Sequence, residues 1–285
     1  MSYHLIVQAP QLNDQALQQL AGLAGAQHIA RLSASRARLS PASPAARSAL
    51  MAAAQTLAVD IALMQDGQHF SDFGLLVSDM DSTLITIECI DEIADMQGLK
   101  PQVAAITERS MRGEMDFAQS LTERVALLEG LEEAALMRVY HERLKLTRGA
   151  RTLLAACKTH DVRFMLVSGG FTFFTERLKA ELGLDYAYAN ELEISDGRLT
   201  GRIKGEIVDA AAKRSLLMEK RTALGLRPEQ VIAIGDGAND LLMLGEAGIG
   251  IAFDAKPVVR AQADIAINHV GLEGVIGLFD TKDER

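Results

Sequence analysis

The chain has 285 residues, 48% apolar and 24% charged, an ordinary balance for a folded protein with a sizeable core, and long enough that two domains are expected. A formal net charge of −9 argues against nucleic acid as a partner and requires that any anionic substrate meet local positive charge. Two cysteines, Cys89 and Cys157, are too few for a disulfide scaffold, and neither a basic-then-apolar leader nor an apolar run of membrane-spanning length is found, so the expected location is the cytoplasm, with no membrane partner.

Charge divides the chain. Residues 1–70 hold four arginines, three aspartates and neither lysine nor glutamate, so the negative excess lies wholly beyond them. This shift suggests a small N-terminal α+β domain over residues 1–70. Within it, residues 4–8 read as a strand, 13–23 as a helix, and 29–39 alternate enough to hold another strand. Residues 41–44, Pro-Ala-Ser-Pro, punctuate the chain. The Ala- and Leu-rich stretch 45–64 predicts one helix, and 67–72 a linker.

Beyond it, five apolar runs predict strands at 74–78, 162–168, 231–235, 249–253 and 263–267. Helical patterns at 150–160, 173–182 and 210–224 lie between several of them. That alternation predicts an α/β domain over residues 71–285, a Rossmann-like, largely parallel sheet covered on both faces. About 80 residues separate the first two strand ends, too many for one crossover helix. Helical patterns at 90–96, 103–111, 117–128 and 132–143 make this stretch a helical insertion, about 86–149, able to cover a site. Residues 194–199, Ile-Ser-Asp-Gly-Arg-Leu, read as a hairpin turn.

Ligands gather at the carboxyl ends of the strands in such sheets, and three strand ends are polar. The first reads Leu75-Leu-Val-Ser-Asp-Met-Asp-Ser-Thr, with Asp79 and Asp81 on one side if the strand stays extended. One carboxylate beside a cation can attack phosphorus, and a second can exchange a proton with the leaving alcohol and water. Asp-x-Asp also occurs in metal sites and exposed turns. The second, Val167-Ser-Gly-Gly, lets backbone N–H groups and the Ser168 hydroxyl approach an anion, or makes a plain structural turn. The third, Ile234-Gly-Asp-Gly-Ala-Asn-Asp, sets Asp236 and Asp240 four positions apart, able to converge on one cation if a helix begins there. Asn239 between them can donate to phosphate. Lys213 is the best source of positive charge, although a lone helical lysine is normally just solvated. Glu88 and Arg124, taken alone, fit an ordinary network of helix salt bridges.

The order and strand-end placement of these stretches resemble the four motifs of the haloacid-dehalogenase superfamily, over residues 74–271. Within it the resemblance is to the branch that hydrolyses O-phospho-L-serine in serine biosynthesis, and it implies the following roles. Asp79 is the nucleophile that becomes an aspartyl-phosphate, and Asp81 is general acid, then general base. Magnesium is the cofactor, bound by Asp79, Asp236 and the Asp81 backbone carbonyl, with Asp240 supporting. Ser168, Gly169 and Lys213 hold phosphate, and Asn239 sits beside it. Glu88 takes the substrate ammonium, Arg124 its carboxylate, and Met111 and Phe117 shield the reacting centre. Bacterial relatives often carry a small ferredoxin-like (ACT-like) regulatory fold. Residues 1–70 lack the glycine-rich turns of an effector site, so they are expected to pack or to dimerise, with a homodimer left open. The same chemistry on another small phosphomonoester is the alternative.

Overall fold

The computed structural model describes residues 2–280. Four strands and two helices come first: β1 (Tyr3–Gln8), α1 (Asp14–Ala24), β2 (His28–Arg31), β3 (Arg36–Ser40), α2 (Arg47–Leu57) and β4 (Asp60–Gln65). The strands pair antiparallel in the order β2-β3-β1-β4, and both helices cover one face over Leu5, Val7, Leu20, Leu39 and Leu50. The single helix expected over 45–64 is corrected here. It stops at Ala58, whose left-handed φ of 53° ends α2, and the chain then alternates buried and half-buried residues as β4. Leucine and alanine suit a helix, but the period of two from Val59 onward lets that segment bury a face against β1. The stretch 29–39 likewise makes two strands, β2 and β3, paired as a hairpin.

The remaining strands are β5 (Leu75–Ser78), β6 (Arg163–Phe171), β7 (Tyr186–Ser195), β8 (Arg198–Lys204), β9 (Val231–Gly235), β10 (Ile249–Phe253) and β11 (Ile265–Ile267). Together with the first four they form one sheet ordered β2-β3-β1-β4-β11-β10-β9-β5-β6-β7-β8. From β11 to β7 the pairing is parallel; β8 turns back on β7 as a hairpin, and β4 joins β11 antiparallel through Ile61 and Ala266. Every residue of β5, β9 and β10 is buried, so these strands read as unbroken apolar runs rather than alternating ones.

Between β5 and β6 lie α3 (Cys89–Asp95), α4 (Lys100–Met111), α5 (Phe117–Ala126) and α6 (Ala134–Arg138). The last predicted helix of this insertion, 132–143, ends where expected: α6 continues to Arg143 through a wider last turn, closed by Leu144 N–H donating to the Val139 carbonyl at 3.0 Å. The two strands of chain that carry the insertion run side by side. Thr86 N–H donates to Lys145 O at 2.9 Å and Thr147 N–H to Leu84 O at 3.0 Å. The crossover helices are α7 (Ala150–Thr159), α8 (Thr172–Leu182) and α9 (Ala210–Ala223), and the short helices α10 (Leu241–Leu244), α11 (Pro257–Arg260) and α12 (Glu273–Ile276) close the fold. None of the helices is long and apolar enough to cross a membrane among the described residues.

Candidate active site

Strands β5 and β9 are neighbours, and their carboxyl ends deliver Asp79 and Asp236 to one place. Asp79 N–H continues the ladder to the Ile234 carbonyl at 2.9 Å, which fixes where its side chain starts. After β9 the chain bends through Gly237, whose N–H donates to Asp240 Oδ2 at 3.0 Å. A β-carbon on Gly235 would meet the Asp240 carboxyl at 2.5 Å, so only glycine lets Asp240 fold back under the strand end. Carboxylate oxygens of Asp79, Asp236 and Asp240 consequently lie within 4.8 Å of one another.

Lys213, from the first turn of α9, is completely buried among them. Its Nζ donates to Asp79 Oδ1 at 2.6 Å and to Asp240 Oδ1 at 2.7 Å. Burial by itself pulls the lysine pKa down, but Asp240 and Asp79 more than reverse this and leave it raised and charged. The acids feel the opposite pressure. Burial first, then the Asp240 charge, pushes Asp79 well above the usual carboxylate range despite Lys213. Asp236 is pushed up to about 7 by burial, Asp240 and Glu88, held back by the Thr83 hydroxyl that donates to its Oδ1 at 3.0 Å. Fully ionised, three carboxylates against one ammonium carry two uncompensated negative charges, which one divalent cation would balance. An all-oxygen donor set of this kind suits a hard metal ion.

Asp81 lies within a tight turn that Ile85 N–H closes back on the Met80 carbonyl at 3.0 Å, and the next residue, Ser82, takes a left-handed φ of 55°. Asp79 and Asp81 themselves keep extended dihedrals, φ −66°, ψ 163° and φ −65°, ψ 136°, and the chain turns left-handed only after Asp81. Asp81 Oδ1 accepts from Cys89 N–H at 3.2 Å, and its Oδ2 lies so near Gly170 that a β-carbon there would sit at 2.7 Å. Burial, then the Glu88 charge, pushes Asp81 up to about 7, with hydrogen bonds from Cys89 as the main restraint. A carboxyl poised there can give and take a proton near neutral pH.

Ser168 is wholly buried at the end of the straight part of β6, and its Oγ accepts from Gly170 N–H at 2.8 Å, leaving its own hydroxyl hydrogen to donate. A β-carbon on Gly169 would meet Phe117 Cζ at 2.7 Å, so Phe117, the first residue of α5, rests directly on this glycine. Asn239 is half-buried in the turn beyond Asp236, its Oδ1 close against Gly237. Glu88 precedes α3 and is open to water within a crowded cleft. Its Oε1 accepts from Ser82 Oγ at 2.7 Å, and burial raises its pKa against the pull of Ser82, Arg124 and Lys256. Arg124 on α5 is half-buried. Nε donates to the Ser120 carbonyl at 3.2 Å, and Asp91, Glu88 and Asp81 support its charge against burial. The side chain of Met111 lies outside the described residues.

Thr83, Cys89 and Ser82 were not singled out from sequence, yet they hold Asp236, Asp81 and Glu88. Ser82-Thr83 follows Asp81 at once, but nothing local says that a left-handed Ser82 turns Thr83 under the neighbouring strand.

Residues 76–245 match the model of the haloacid dehalogenase-like hydrolases, and residues 5–50 match a domain of unknown function (DUF4072). A phosphoserine phosphatase of Polaromonas sp. is 54% identical over 213 residues, covering 73% of this chain and 90% of its own. The crystal structure of a probable phosphoserine phosphatase from Vibrio cholerae, unliganded, superposes with a TM-score of 0.82 at 36% identity, over 97% of this chain and 86% of that one. A substrate-bound phosphoserine phosphatase complex gives a TM-score of 0.69 at 38% identity, over 73% and 99%. A family match over residues 76–245, more than half of the chain, joined to relatives of this identity and coverage, leaves one conclusion about descent: the chain belongs to the haloacid dehalogenase-like hydrolases and, within them, to the family of these phosphoserine phosphatases.

Proposed function

We propose that the protein hydrolyses O-phospho-L-serine to L-serine and phosphate through an aspartyl-phosphate on Asp79, the last step of serine biosynthesis, in the cytoplasm. The observation that carries this reading is the buried Asp79–Lys213–Asp240 cluster beside Asp236, with Glu88 and Arg124 on the insertion facing Asp81. Asp79 and Asp236, supported by Asp240 and the Asp81 backbone carbonyl, would hold magnesium, which when bound neutralises charge on the phosphoryl oxygens. Lys213 lowers the repulsion between Asp79 and the incoming phosphate, and Ser168, Gly169 and Asn239 hold that group. Asp79 attacks phosphorus in line while Asp81, protonated, gives its proton to the departing serine oxygen. Asp81 then takes a proton from water, which cleaves the aspartyl-phosphate and restores Asp79. Glu88 receives the substrate ammonium, and Arg124 grips its carboxylate bidentately. Phe117 and Met111 exclude water from the reaction.

The test is phosphate release from O-phospho-L-serine. Asp79→Asn reduces it to background, and Arg124→Ala removes the preference for an amino-acid phosphate over a plain alkyl phosphate. A chelator abolishes turnover, and magnesium restores it. Near-normal turnover by Asp79→Asn refutes the assignment.

A further inference from the structure

One hollow of the molecule lies away from the candidate active site. It is a slot of about 400 Å³ where the first four strands join the rest of the sheet, within the size range of small-molecule sites. Its floor is half-buried apolar surface, Ile61 and Leu63 on β4 and Ala266 on β11, and its walls include Met51 of α2 and Pro257 of α11. Four formally charged side chains line it, and three are already engaged. Asp60 accepts from the N–H groups of Asn268, His269 and Val270 at 2.7 to 3.0 Å. Asp264 accepts from Gly250 N–H at 2.8 Å, and Arg47 donates to the carbonyls of Ala263 and Asp264. Arg260, half-buried, has no hydrogen-bond or ion-pair partner for its guanidinium among the described residues.

We propose that this slot is a regulatory binding site for a small monocarboxylate with an apolar body. One unpaired guanidinium calls for one negative charge, and its fork matches a carboxylate. The apolar floor calls for an aliphatic or aromatic body rather than a second polar group. A regulatory role follows from what the slot touches. The His269 carbonyl accepts from Arg148 at 3.3 Å, and Arg148 O accepts from Leu272 N–H at 2.8 Å. Arg148 directly follows Thr147, which pairs with Leu84 where the helical insertion leaves the sheet. The slot wall is thus one residue from the paired strands on which the insertion with Phe117 and Arg124 is hung.

The binding claim is independent of the phosphatase reading, and the regulatory claim rests on it. The full-length chain is titrated calorimetrically with 3-phenylpropionate and 4-methylpentanoate, with 3-phenylpropionamide as the neutral counterpart. The acids saturate with Kd near 1 mM, as expected for ligands of this size, and bind at least about tenfold tighter than the amide. Arg260→Met removes binding, and Arg260→Lys keeps part of it. In wild type the acids change KM for phosphoserine by about twofold or more, and in Arg260→Met they do not. No saturation by either acid below about 10 mM, equal binding of acid and amide, or undiminished binding by Arg260→Met overturns the site. Binding without any kinetic change overturns its regulatory role. If the chain releases no phosphate from phosphoserine, the proposed activity fails while calorimetry still decides the site. Hydrogen exchange at residues 84–86 and 145–148, with and without acid, then decides the coupling.

Discussion

Lys213 is the residue on which the candidate site turns, because it is a buried cation shared by two carboxylates. Lys213→Met keeps the shape of the aliphatic stem but leaves Asp79 and Asp240 facing each other, and removing one partner of a buried ion pair costs on the order of 3–5 kcal/mol. Urea denaturation is expected to show that loss, with phosphate release abolished, and magnesium is expected to recover more stability in the variant than in wild type. Asp236 supplies a pH signature. In chelator its folded pKa of about 7 stands above the unfolded value of about 4. Below that window the carboxyl is protonated in both states. Inside it the folded state keeps a proton that the unfolded state releases, so stability falls with rising pH by up to about 1.4 kcal/mol per unit, then levels above 7. Asp236→Asn lacks this loss, so in chelator the variant should gain on wild type between about pH 4 and 7; a constant difference across those pH values would contradict the placement of Asp236 among the acids. The strand-end acids were legible in sequence because an apolar run ending in aspartate has few bland explanations. Lys213 was legible only as the best candidate cation: a lysine after three alanines looks like any solvated helix position, and its place beside phosphate came from the resemblance.

Among the elements, the junction from the insertion into α7 is packed closely against Glu273. Gly149 takes φ of 80° just before α7, and a β-carbon there would meet the backbone nitrogen of Glu273 at 2.4 Å as well as its carboxylate. Gly149→Ala combines a left-handed backbone with a backbone collision and should cost at least about 2 kcal/mol. Trimming the side chain with Glu273→Ala should recover only a small part in the double variant, since the backbone nitrogen remains. Full recovery on denaturation would show that the collision is with the flexible side chain alone. Elements were legible where period and punctuation agreed. Strand β9 and β10 have the bounds read from sequence, because a short fully apolar run between polar turns fits little else. The long helix over 45–64 failed because composition was weighed above period, and the break falls at Ala58, a residue with no turn signature of its own. Strand β7 was seen only at its hairpin end, because its first residues, Tyr186 to Ala189, are all half-buried against β6 and carry no strong pattern.

At the scale of the whole molecule, the first four strands are fastened to the rest at several independent places. Asp60 fills the N–H nest at residues 268–270, Gln8 donates to the Gly274 carbonyl at 3.0 Å, and Arg38 bridges Asp66 and Asp280 at 3.0 and 2.6 Å. Ile6, Ala62 and Met64 complete the same core as Phe70, Phe73 and Phe279. None of the residues proposed for chemistry belongs to this N-terminal part. Deleting residues 1–66 should therefore leave the site's components in place while uncovering an aromatic cluster and turning β11 into an unpaired edge. The truncated chain is expected to release phosphate at a rate within about tenfold of the full chain at low temperature, yet to lose several degrees in Tm and to aggregate on warming. Replacing Phe279 by Ser in the truncated chain should then reduce aggregation without restoring Tm. A truncated chain as stable as the full one would mean that the fastenings between the two parts contribute nothing to the fold. A truncated chain that is folded but inactive would mean instead that the N-terminal part governs the insertion, the outcome that the Asp60–His269–Arg148 contacts make physically available.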